Sequence, residues 1–173
     1  MRKSRLQEFR LLRALAGARS PSMPPIFVLW SFVGGTLGIL AIHGVTFLVG
    51  QPLLIGSFGA SAVLLFGAPD SPLTRPRNLI GGHVLSALTA VGVVALAGSS
   101  LWSMALAVGL AILVMHITDT VHPPGGATAL IGVQTAAGPA FIFMPVLAGV
   151  LVLLSVALLT SRLVSFSPRC SEL

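Results

Sequence analysis

The sequence predicts an all-α, polytopic transmembrane helix bundle of about five to six segments, some of them short, broken or glycine-rich. Three observations carry this. The chain of 173 residues is 55% hydrophobic and 8% charged, where a soluble domain typically carries about a quarter charged residues. Between Ser20 and Ser161 the formal charges are Asp70, Arg75, Arg77 and Asp119, too few to build a water-facing surface. Several apolar runs approach the roughly 20 residues that a helix needs to cross a hydrocarbon core of ~30 Å. A soluble globular enzyme and a disordered chain are both excluded on these grounds.

The chain opens on a basic arm, residues 1–23. Arg2, Lys3, Arg5, Arg10, Arg13 and Arg19 all precede the first long apolar run. The excess of positive charge on cytoplasmic flanks then places the N-terminus in the cytoplasm. Leu6, Phe9, Leu12 and Leu15 recur every three residues between the arginines. This fits a short amphipathic helix in the anionic headgroup region, and equally a tail whose charge only sets topology. A nucleic-acid partner is not expected, because no folded basic surface surrounds these residues.

A single transmembrane domain is expected over residues 24–164, followed by a short tail over 165–173. Its first segment, residues 26–49, is too long for a signal-peptide core and reads as a retained span. Gln51-Pro52 breaks the chain. The second segment, 53–66, is rich in small residues (Gly56, Ser57, Gly59, Ala60, Ser61, Ala62) and reaches only about 21 Å as a helix. It is either a tightly buried short span or a re-entrant half-helix. A polar loop, 68–78, holds Arg75 and Arg77. The third segment is 79–97, and Gly98-Ser99-Ser100 turns the chain into the fourth, 101–117. A short apolar piece, 129–133, follows a Pro-Pro-Gly-Gly turn, and the last segment runs from 141 to 159 or 163.

Long, short and long segments thus occur twice in succession. If the short pieces span, each unit crosses three times and the two are related by inversion, as in many secondary transporters. The Arg75/Arg77 loop and the C-terminal arginines then share the cytoplasmic side. Cys170, the lone cysteine, has no partner for a disulfide or a metal site. Trp30 and Trp102 read as interface anchors, and His43 as a packing or polar-contact residue.

Three constellations carry chemistry. His116, Asp119 and His122 are spaced by three, so a continuing helix would place them on one face, able to relay a proton or gate a path. The alternative is that Asp119 or Thr120 caps the short helix begun by Pro123-Pro124. No metal is expected, since the region has no thiol and no His-Glu-x-x-His spacing. Gly125, Gly126 and Thr128 form the second group. Backbone N–H groups at a half-helix N-terminus, with a hydroxyl beside them, suit a small anion; close helix packing is the competing account. Arg77, Asn78 and His83 form the third. A guanidinium grips planar oxyanions at a membrane mouth, or serves only as a topogenic, snorkelling side chain.

The run from Thr118 to Leu130, with His122-Pro123-Pro124-Gly125-Gly126 at its centre, resembles the signature of the HPP family of integral membrane proteins. The run Pro69-Asp70-Ser71-Pro72-Leu73-Thr74-Arg75-Pro76-Arg77-Asn78, continuing to Gly81-Gly82-His83, is similar to the family's second signature. Arg75 departs from it, standing where an uncharged residue is usual, which favours Arg77 as the functional arginine. The resemblance implies a bundle of four to five spans and, because some members resemble nitrite transporters, a small-anion permease.

The leading expectation is therefore a non-enzymatic membrane transporter or channel for a small inorganic anion, nitrite among them, needing no cofactor. A non-transporting accessory subunit and a membrane-embedded metal-dependent enzyme are the alternatives. A bacterial inner membrane is the expected location. Spans this few enclose little volume, which is compatible with a homodimer.

Overall fold

The computed structural model describes residues 23–50 and 52–163; the expected arm helix, Cys170 and the tail lie outside them. Six helices and no strand occur among the described residues: α1 (Pro25–Val49), α2 (Gly56–Gly67), α3 (Pro76–Ala97), α4 (Leu101–Ile117), α5 (Pro124–Gln134) and α6 (Ala148–Leu163). α1, α3 and the stretch Ile142–Arg162 are long and apolar enough to cross a membrane.

Local chemistry sets the ends. α1 stops at Gly50, whose φ of 65° and ψ of 17° need a left-handed residue. Residues 53–55 are not helical, although the apolar run begins there. Leu53 N–H donates to Thr46 Oγ1 (3.1 Å), and Ile55 stays extended (φ −121°, ψ 151°). The expected second segment therefore shortens to α2, of 12 residues. α3 starts earlier than the apolar pattern, at Pro76, since proline lacks the N–H that a first helical turn leaves unused anyway. Ser100 Oγ accepts the Ser103 N–H (3.1 Å) and caps α4. The final expected segment is interrupted: Met144 is extended (φ −130°, ψ 118°) and Pro145 follows it, so the wide turn Ile142–Leu147 precedes α6.

α2 returns along α1. Thr46 near the end of α1 meets Leu53 just before α2, while Ser31 near its start donates to the Phe66 carbonyl (2.6 Å) near the end of α2. α5 likewise returns along α4. Met115 and His116 border Gly126 in one groove, while Met104 and Ala107 join the cluster that holds Val133. Both short helices therefore retrace the long helix before them, and each half of the chain makes three passes.

The halves repeat each other. α1 packs on α2 and α6, as α4 packs on α5 and α3. α2 packs on α6, as α5 packs on α3. The short helices also meet each other, as do α3 and α6. A sequence echo sits inside this pattern: Gly59-Ala60-Ser61-Ala62 in α2 and Gly126-Ala127-Thr128-Ala129 in α5, 67 residues apart (Ser61 to Thr128). The same offset relates Gly82 in α3 to Gly149 in α6. Both are close-approach points. A Cβ on Gly82 would stand 2.5 Å from His122 Cβ, and one on Gly149 would strike the Phe58 ring. An odd number of crossings per unit turns the second unit upside down relative to the first.

The core has an aliphatic–aromatic part around Ile42, Phe58, Phe66 and Leu153, and a small-residue part between α3, α4 and α5. Trp30 belongs to the first. It is 8% exposed and packs on Phe27 and Phe66, so it does not anchor an interface as its position suggested. Trp102, 83% exposed at the start of α4, has the exposure an anchor needs.

Candidate functional site

Where α2 crosses α5, five polar side chains are buried together: Ser57 and Ser61 of α2, His83 of α3, His122 before α5, and Thr128 of α5. A buried polar group costs about 1–3 kcal/mol if its hydrogen bonds are lost, and each of these has partners. Ser61 Oγ lies 2.8 Å from His83 Nε2 and 2.9 Å from His122 Nε2, so one hydroxyl joins two imidazoles. The ring centroids are 5.0 Å apart. His83 Nδ1 is 2.7 Å from Thr128 Oγ1. Thr128 Oγ1 donates to Ser57 Oγ (2.9 Å). His122 Nδ1 is 2.8 Å from the Leu73 carbonyl. A carbonyl only accepts, so His122 carries a proton on Nδ1.

Packing makes the chain possible. Gly82 lets His122 lie against α3, and a Cβ on Gly125 would stand 2.8 Å from both the Gly82 carbonyl oxygen and Ser86 Oγ. Phe58 stacks edge-on to His83, with ring centroids 5.5 Å apart, and its other edge fills the space left by Gly149.

The loop signatures close one end. Arg77 donates to the Thr118 carbonyl (2.7 Å) and pairs with Asp119 (3.5 Å); the two side chains are 65% and 90% exposed. Asn78 Nδ2 donates to the Val121 carbonyl (2.9 Å). Both residues thus tie the start of α3 to the strap between α4 and α5.

The expected face of His116, Asp119 and His122 does not form. α4 ends at Ile117 and Asp119 turns left-handed (φ 53°). His116 and Asp119 are left exposed and His122 buried. Nor does Asp119 or Thr120 cap α5, which has no side-chain cap; Thr120 Oγ1 instead meets Thr118 Oγ1 (2.8 Å). The amides of Gly125 and Gly126 are not free. They donate to the carbonyls of His122 (2.8 Å) and Pro123 (3.0 Å), because Pro123 is already helical (φ −51°, ψ −38°). Gly126 faces an apolar groove against α4 that also contains His116. His43 is exposed on α1. Among the described residues no three His, Cys, Asp or Glu side chains converge as a metal site would require.

His83, His122 and Thr128, drawn from three separate candidate groups, meet in one cluster. Ser61 is the addition; Ser57 stands with Gly56 at the start of the short second segment, which the sequence already offers as a half-helix matching that of Gly125 and Gly126. Among the sequence features, the repeated Gly-Ala-Ser/Thr-Ala run was the signal that could have pointed to Ser61.

A strand-free bundle with three long apolar helices and a buried polar crossing defines a helical integral membrane protein. The family model described as HPP, transmembrane region, matches residues 20–169, and the chain belongs to the HPP transmembrane family. Two proteins of Dictyostelium discoideum, each described as a transmembrane protein, are similar to it. One is 45% identical over 145 residues, covering 77% of this chain and 47% of its own. The other is 41% identical over 170 residues, covering 91% and 60%. The chain therefore spans about half the length of the curated relatives it matches. No solved structure matches it.

Proposed function

We propose that the protein carries a small inorganic anion across the membrane, with nitrite as the first substrate to test. The observation that supports this most is the chemistry of the helix crossing. It offers hydroxyls and imidazoles, and no carboxylate stands beside it; the carboxylates among the described residues, Asp70 and Asp119, are exposed. Cation sites are usually built from carboxylate rings or carbonyls. Ser57 sits in the first turn of α2, and Thr128 in the second turn of α5. Half-helix N-termini with their positive dipole ends toward a central site favour anionic substrates.

In this reading the anion sits against Thr128 and His83, and Gly125 lets α5 pack close to α3 beside them. Arg77, held with Asn78 at the exposed end of α3, attracts anions to the mouth. Asp119 restrains Arg77 there. The proposed setting is the cell inner membrane with the N-terminus in the cytoplasm, and a homodimer is the proposed assembly.

The test is nitrite uptake into proteoliposomes holding the purified chain, with Thr128→Val as control. Uptake above empty vesicles, lost in the control, supports the reading. No uptake by folded, inserted native protein overturns it.

A further inference from the structure

The hydrogen bonds of the buried crossing can be counted proton by proton. Both ends of the chain donate outward: His122 Nδ1–H to the Leu73 carbonyl, and Thr128 Oγ1–H to Ser57 Oγ. With its own proton spent on Ser57, the Thr128 oxygen faces His83 Nδ1 at 2.7 Å as an acceptor, so His83 also carries Nδ1–H. In a neutral pair each ring has one N–H. Both Nε2 lone pairs would then aim at the Ser61 oxygen, 2.8 and 2.9 Å away, where there is a single hydroxyl proton, for which the Ser57 carbonyl at 3.3 Å is a longer, competing acceptor. One more proton completes the set. Ser61 donates to one Nε2 and accepts N–H from the other.

A complete neutral arrangement also exists, one rotation away. Thr128 turns its O–H from Ser57 to His83 Nδ1, His83 Nε2–H donates to Ser61, Ser61 donates to His122 Nε2, and His122 Nδ1–H stays on Leu73. The two arrangements differ by one proton and one hydroxyl rotation. A second added proton would put two positive rings 5.0 Å apart away from water, where like charges strongly oppose each other.

Among the described residues, no other ionisable side chain faces the cluster. α2 brings Ser57, Phe58 and Ser61; α3 brings Gly82 and Ser86; α4 brings Met115; α5 brings Thr128; the 72–74 turn brings the Leu73 carbonyl. The charged Arg77 and Asp119, on the adjoining strap, are exposed and paired with each other.

We propose that Ser61, His83, His122 and Thr128 form a single-proton site, loaded together with the anion, so that the protein is an electroneutral anion–proton symporter. This rests on the anion reading above. On loading, the Thr128 hydroxyl turns from His83 to Ser57 and an N–H bond forms at His83 Nδ1, the proton coming from the same aqueous side as the anion. On release that bond breaks, and proton and anion leave together on the other side, with no net charge moved.

The test uses the full chain in detergent micelles, titrated with sodium nitrite in weak buffer containing a pH-indicator dye, with the histidine rings followed by 15N NMR. The expected result is uptake of about one proton per nitrite bound and the appearance of one doubly protonated ring. In proteoliposomes, uptake is expected to be unchanged when the membrane potential is clamped at opposite signs, and to rise when the outside is acidified. Nitrite bound without proton uptake, or uptake driven by the potential, overturns the coupling and leaves the anion reading standing. No nitrite binding by the folded chain overturns both.

Discussion

His83 and His122 lie in the two loop signatures of the sequence, yet their rings are 5.0 Å apart and share the hydroxyl of Ser61. The first prediction concerns their tautomers. The Leu73 carbonyl fixes the His122 proton on Nδ1 at every state of the site. 15N spectra of histidine-labelled protein are expected to show this ring with Nδ1 protonated throughout. A His122 ring protonated on Nε2 alone would show that the Leu73 contact is not a hydrogen bond.

Ser61→Ala leaves two imidazole nitrogens facing a methyl group. The expected cost is about 1–3 kcal/mol, the usual penalty for stranding buried polar groups. Ser61→Thr keeps the hydroxyl and should recover most of the loss. Thermal unfolding in detergent measures both, and an unaffected alanine variant would mean that water replaces the hydroxyl.

Two adjacent glycines are expected to behave differently. Gly125→Ala drives a methyl against the Gly82 backbone oxygen, which cannot swing away, and overpacking of this kind costs about 1–3 kcal/mol. Gly126→Ala meets nothing nearer than Val108 Cγ1 at 3.9 Å and should leave stability unchanged. Equal melting temperatures for the two variants would contradict the close α3–α5 approach.

Arg77→Gln is expected to lower nitrite uptake while the protein remains folded. The Arg77–Asp119 pair is exposed, and exposed pairs add little to stability. Unchanged uptake at equal membrane abundance would remove Arg77 from the transport path.

Much of the helical plan was legible from hydropathy and punctuation alone. Pro52, Gly98 and Pro123-Pro124 mark breaks that the structure keeps, and Leu101–Ile117 is helical as read. The start of α2 was not legible, because the apolar residues 53–55 are held extended by Thr46, a contact across the turn. The supposed face of His116, Asp119 and His122 failed for a related reason. Spacing by three places side chains together only while the helix continues, and here it ends at Ile117. The meeting of His83 with His122 depends on how α3 and α5 pack, through Gly82 and Gly125, and no local pattern encodes that. Ser61 looked like one more small residue, since a serine at a helix crossing and a serine bridging two imidazoles read alike.

The repetition of the two halves has a consequence for biogenesis. One sequence pattern of about this length must be accepted by the insertion machinery in both orientations, once as the first half and once, upside down, as the second. A pattern with that freedom cannot carry strong orientation signals of its own, and few charges lie inside either half. The decision then falls to the flanks, where six of the ten basic residues precede residue 20. On the positive-inside expectation, the basic arm would decide which way the paired halves insert.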